Sequence, residues 1–138
     1  MFLMEIQEVQ SEINRINSYL EKCLWMDFTL CQSNCGKVEL FGTVDQTYNN
    51  YRDNYAIKIE FEQPHFISSL FLWQTDTSKP FIHIVSDEEE TDLNTKYRVE
   101  LGNYIFNLNV DGIDSSPVYI AAKRITCSII NENPFPPK

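Results

Sequence analysis

Two histidines, four cysteines and twenty carboxylates are the residues of this chain with the chemistry for catalysis or metal binding. The cysteines are Cys23, Cys31, Cys35 and Cys127. Their spacing lacks the paired Cys-x2–4-Cys or His-x3–5-His units of a zinc site, and His65 and His83 lie far from them in sequence. A Cys–His pair would be the simplest nucleophile and base. His83, however, alternates with Phe81 and Val85 and reads as a core residue, and His65 follows Pro64 at the start of a strand. Glu60 and Glu62 share one face of a strand, about 7 Å apart by strand geometry. That distance suits acid–base hydrolysis, but the same pair is an ordinary wet face opposite Ile57, Ile59 and Phe61. No Gly-x-Ser-x-Gly, phosphate loop or Gly-x-Gly-x-x-Gly occurs, and four glycines leave little for a phosphate cradle. We therefore expect a non-enzymatic chain and assign no catalytic, cofactor-binding or metal-binding residue.

Two local features suit partner binding instead. Asp87, Glu88, Glu89, Glu90 and Asp92 place five carboxylates within six residues. They read as an acidic loop, and the regular Asp spacing of a calcium loop is missing. Concentrated negative charge steers basic proteins and speeds their association. The second feature runs from Thr47 to Tyr55, with three tyrosines, three asparagines and one arginine. Tyr, Asn and Arg supply aromatic anchors and adaptable hydrogen bonds. Tyr48, Asn50, Tyr51, Arg52 and Tyr55 join the five carboxylates as the expected partner-binding set.

The elements that must carry these features follow from hydrophobic periodicity. Ile6, Val9, Ile13, Ile16, Leu20 and Cys23 step by three and four residues, which predicts an amphipathic helix over 5–24. The period then changes to two. Phe28–Gln32 and Lys37–Val44 form a hairpin around Ser33-Asn34-Cys35-Gly36. Tyr55–Glu62 alternates cleanly as a half-buried antiparallel strand. Phe66–Trp73, apolar on both faces, is expected at the centre of the sheet or under the helix. Phe81–Val85, Lys96–Leu101 and Tyr104–Val110 are further strands, the last two joined by a Gly102-Asn103 turn. Val118–Ile130 is a strand with a bend near Ala121-Ala122-Lys123. Trp25 and Trp73 are expected in the core. Short connections favour antiparallel pairing. The expected fold class is α+β and mostly β: an N-terminal helix on a curled antiparallel sheet of about seven or eight strands, as a half-barrel or sandwich. One domain covers 1–131, with the meander over 27–130 and a Pro-rich tail over 132–138.

With 138 residues, the chain fits one domain, and a hydrophobic fraction of 43% supplies a core. Its net charge of −9 argues against nucleic acid and anionic membrane as partners. No export signal or membrane-length apolar run is visible. A cytoplasmic chain with reduced thiols, monomeric or weakly dimeric, is the resulting expectation. In size, charge and β-rich build it resembles the small acidic proteins that neutralise secreted bacterial toxins. That resemblance implies an immunity-type inhibitor occluding a basic toxin domain, and it carries no motif from which residue roles can be transferred. Two other classes fit the pattern: a ligand carrier or enzyme with a pocket inside the curled sheet, and an assembly subunit using the helix as its interface.

Overall fold

In the computed structural model, residues 4–33, 36–44, 52, 54–75, 77–98, 102–110 and 118–135 are described. Helix α1 spans Ile6–Glu21, and its Val9, Ile13, Ile16, Tyr19 and Leu20 are buried. The 3.6-residue period places these side chains on one stripe, with Gln7, Glu8, Gln10 and Asn14 facing outward. Ile6 heads the same stripe but stays exposed at the helix start, while Tyr19 joins the buried face. Lys22 ends the helix, one residue before Cys23.

Nine strands follow among the described residues: β1 (Met26–Ser33), β2 (Lys37–Thr43), β3 (Ile57–Glu62), β4 (Phe66–Ser68), β5 (Leu72–Thr75), β6 (Ile82–Ile84), β7 (Tyr104–Leu108), β8 (Val118–Ala122) and β9 (Arg124–Ile129). A second helix, α2 (Asp87–Tyr97), lies between β6 and β7. The first sheet has the order β5-β1-β2-β3-β9 and the second β4-β8-β7-β6, with every pairing antiparallel. The fold is mostly β, with α1 packed on the curled sheet, and the sheet does not close into a barrel.

The curl comes from a two-stranded ribbon that changes sheets as a pair. β3 pairs with β9 in the first sheet, and their continuations β4 and β8 pair in the second. Gln63 turns one strand with a positive φ of 52°, and Pro64 follows it. Lys123 turns the other. Two backbone hydrogen bonds hold the corner: Lys123 N–H donates to Glu62 O at 3.1 Å, and His65 N–H to Ala121 O at 2.8 Å. Strands that bend from one sheet into another are the usual way to make such a corner. The expected bend near Lys123 is therefore real.

Alternating residues of both sheets fill the concave side. Ile57, Ile59 and Phe61 of β3 are buried while Lys58, Glu60 and Glu62 face out. Phe61 meets Phe106 of β7 across the layers at 5.3 Å, and Phe28 stacks on Phe81 at 4.7 Å. Helix α1 lies over the open side, against β9 and β6. Asn17 of α1 accepts from the backbone N–H groups of Phe81 and Ile82 and donates to Ile82 O, so one side chain stands in for a missing strand beside β6. Arg15 donates to Cys127 O at 3.1 Å beside β9. Tyr19 donates to Asn131 O at 2.6 Å and ties the following chain to the helix. Phe135 packs edge-on against Trp25 at 4.5 Å.

Several expectations change. The acidic stretch 87–92 is not a loop but the first half of α2, and Lys96 and Tyr97 belong to that helix rather than to a strand. The physical reason lies in Ser86-x-x-Glu89: the Ser86 hydroxyl accepts from Glu89 N–H at 3.2 Å, and acidic residues fill the first turn, where the helix dipole favours them. Phe66–Trp73 is not a central strand. It divides into β4 and β5, each at the edge of a different sheet, because the corner at Gln63-Pro64 moves the chain away from the sheet centre. His83 is exposed, not core. Trp73 is buried as expected, whereas Trp25 is partly exposed. The last part of Lys96–Leu101 lies outside the described residues.

Two substitutions test this packing. Ile13→Asp places an unpaired charge under the helix, so the cooperative unfolding transition should move by roughly 3 kcal/mol or more, or disappear. A folded monomer of unchanged stability in urea would contradict the packing of α1. A Cβ on Gly42 would lie 2.7 Å from Ile57 Cγ2 and 3.0 Å from Met26. Gly42→Ala should therefore cost about 1–3 kcal/mol in the same measurement.

Candidate functional site

The outer face of the first sheet carries a ladder of opposite charges. Lys37 lies 3.7 Å from Glu60 and 3.6 Å from Glu62; Lys58 lies 3.0 Å from Glu60 and 3.9 Å from Glu39; Arg124 lies 3.1 Å from Glu62. The register of β2, β3 and β9 creates these pairs by placing Lys37 beside Glu62 and Glu62 beside Arg124. Glu60 and Glu62 are thus neutralised by neighbouring cations, and this face adds little net charge.

Tyr55 and Arg52, from the Tyr- and Asn-rich segment, also lie over this face. Tyr55 packs edge-on against Phe41 at 5.2 Å, and the Lys58 ammonium sits 5.9 Å from its ring centre. Arg52 reaches the Cys31 sulfur. Tyr48, Asn50 and Tyr51 lie outside the described residues.

The five carboxylates of α2 sit elsewhere, on the outer face of the second sheet. Leu93 is the buried anchor of α2 and packs in a small cluster with Val85, Ile105 and Ala121. Tyr97 stacks on Phe66 at 4.3 Å. Tyr119 of β8 donates to Glu89 at 2.6 Å. Burial, reinforced by that carboxylate, pushes the Tyr119 hydroxyl up to about 12. Asp87, Glu88 and Asp92 are exposed, while Glu89 and Glu90 are half-buried. The two parts of the expected partner-binding set therefore occupy outer faces of different sheets and are not brought together.

The remaining chemistry is quiet. Cys127 donates to Glu12 at 3.3 Å and lies 3.5 Å from Arg15. Burial, together with Glu12, pushes its thiol up to about 12, which keeps it protonated where a nucleophile would need to ionise. Burial also raises Cys23. Cys23 and Cys127 are free thiols, and Cys35 lies outside the described residues. Exposed His65 stands 3.3 Å from Arg98 O, at the end of α2. Among the described residues, no three His, Cys, Asp or Glu side chains converge as a metal would need, and no helix is long and apolar enough to cross a membrane.

One surface was not expected from the sequence. Along β4, β5 and their connection, Phe71 is 76% exposed, Leu72 55%, Leu70 42% and Ile67 37%. A groove of about 410 Å³ lies along β1 and β5, lined by Asp27, Phe28, Leu72, Trp73 and Gln74. A second groove of about 210 Å³ lies between Leu30, Val38, Ile67 and Phe71. The only sequence signal was negative: Ser68 and Ser69 interrupt the most apolar run of the chain.

Compared with known proteins, the chain has no significant match to a family model, a curated protein or a solved structure.

The Tyr119–Glu89 bond gives a pH test. A hydroxyl whose folded pKa lies above its ordinary value of 10.0 favours the fold fully below pH 10 and loses that contribution as pH rises toward about 12. The stability difference between the protein and Tyr119→Phe should therefore shrink over that range, measured by urea unfolding. A constant difference would contradict the contact.

Proposed function

We propose that the chain is a non-catalytic protein-binding module whose acidic helix α2 docks a basic partner. The observation that carries this reading is charge segregation. Carboxylates on the first sheet are paired with Lys37, Lys58 and Arg124, whereas α2 directs Asp87, Glu88 and Asp92 into solvent. The helix is anchored on one side by Leu93 and by the Tyr119–Glu89 bond, so its acidic side is held at a defined orientation. Preorganised charge of one sign accelerates encounter with the opposite sign. An immunity-type inhibitor that occludes a basic toxin domain in the cytoplasm is the specific form of this proposal. The resemblance in size, charge and β-rich build supports it.

Affinity capture from the native host at low and high salt tests the reading. A basic protein should bind at low salt and release as salt rises. With that partner in hand, Asp87→Asn/Glu88→Gln/Asp92→Asn should slow association about tenfold or more while leaving the circular dichroism unchanged. No basic partner at low salt, or an unchanged association rate, would overturn the proposal.

A further inference from the structure

Four strand edges end the two sheets, and they are treated differently. β9 is covered by α1, with Arg15 bonded to Cys127 O. β6 is completed by Asn17. β4 is three residues long. Among the described residues, β5 alone is neither covered nor that short, and none of them pairs with its outer side. Proteins normally blunt a free edge with charge, proline, a bulge or a cover. Here Leu72 and Gln74 are exposed, and neither charge nor proline occurs within β5.

The backbone directions follow from the ladder. Leu30 N–H donates to Phe71 O at 2.7 Å, and Phe28 stands opposite Trp73. In an antiparallel pair, successive residues turn their N–H and C=O groups to alternate sides. Phe71 and Trp73 therefore bond to β1, and Leu72 and Gln74 present their N–H and C=O groups to the open edge. Groups so arranged are met by another extended chain.

Charge defines that chain further. Asp27 stands opposite Gln74 in the register and lines the groove beside the edge. It has no ion-pair partner among the described residues, and burial alone raises its carboxyl above the ordinary range. A second copy of this chain would bring another −9 charge to the same place. A lysine or arginine on an incoming strand would instead neutralise Asp27 while apolar neighbours cover Leu72.

We infer that the β5 edge is a strand-addition site for an extended segment of a basic partner protein, apolar opposite Leu72 and cationic near Asp27. This rests on the protein-binding reading and adds a main-chain contact on a face that α2 does not reach. α2 would set the rate of encounter, and the edge would set the register of the bound segment.

The probe is the peptide Thr-Val-Thr-Lys-Thr-Val-Thr, which presents Val, Lys and Val on one face. In the full chain, its binding should slow amide exchange at Leu72 and Gln74 by about tenfold or more. Replacing its Lys by Glu should weaken binding by about tenfold. Gln74→Pro removes the edge donor without removing a β1–β5 bond, because proline is tolerated where the N–H faces outward. That variant should keep its unfolding midpoint and lose the slowed exchange; Asp27→Asn should lose the preference for Lys over Glu. Binding unaffected by Gln74→Pro, exchange changes confined to α2, or no binding at millimolar peptide would each overturn the edge proposal. So would a peptide-free dimer that Gln74→Pro dissolves. The α2 triple variant should bind the peptide as before. If it does while no basic partner answers to α2, the helix reading fails and the edge stands; if the α2 variant alone abolishes peptide binding, the reverse holds.

Discussion

The paired strands β3–β4 and β8–β9 cross from one sheet to the other at a single corner, and the rest of the molecule is arranged around that crossing. The corner turns at Gln63 and Lys123, and its backbone bonds are satisfied across the bend by Glu62 O and Ala121 O. Because both strands bend together, neither loses its partner. Unpaired backbone groups would make such a bend costly inside a protein. The crossing brings Phe61 and Phe106 into contact and leaves a concavity that α1 closes. It also takes β4 and β5 out of the sheet centres and makes each an edge.

Charge is organised by the same geometry. Antiparallel register sets basic residues beside acidic ones on the first sheet, so its outer face is close to neutral. Ion pairs at a protein surface add little stability. They do keep the face free of a strong field. Much of the acidic excess then falls on the helices, and α2 is the more polarised: five carboxylates against Lys96. The acidic helix and the apolar edge are consequently separate surfaces, one suited to long-range attraction and the other to close main-chain contact.

Much of the fold was legible in the residues. The stripe from Val9 to Leu20 specified α1 and its buried side. The alternation of Ile57, Ile59 and Phe61 specified β3 and its faces. β1 and β2 pair antiparallel as the expected hairpin, with Asn34 and Cys35 of its turn outside the described residues. The acidic stretch was misread because five carboxylates looked like a solvated loop. The helix signal was local and available in Ser86-x-x-Glu89, followed by Leu93. The candidate site was less legible. Arg52 and Tyr55 reach the first sheet while Asp87–Asp92 reach the second, and their separation depends on which sheet each neighbouring strand joins.

The sequence by itself determined most of the element types, the antiparallel pairing, the buried side of α1 and the total charge. Those properties follow from short-range periodicity and from counting residues. Only the tertiary structure decided that the most apolar run, Phe66–Trp73, would lie at two edges, that Glu60 and Glu62 would be neutralised by Lys37, Lys58 and Arg124, and that Asn17 would complete β6 while no described residue pairs with the outer side of β5. The physical reason is that edge, centre and ion-pair partner are relations between residues far apart in sequence. Hydrophobicity specifies how strongly a segment seeks burial, but the path of the backbone through the corner decides what is available to bury it.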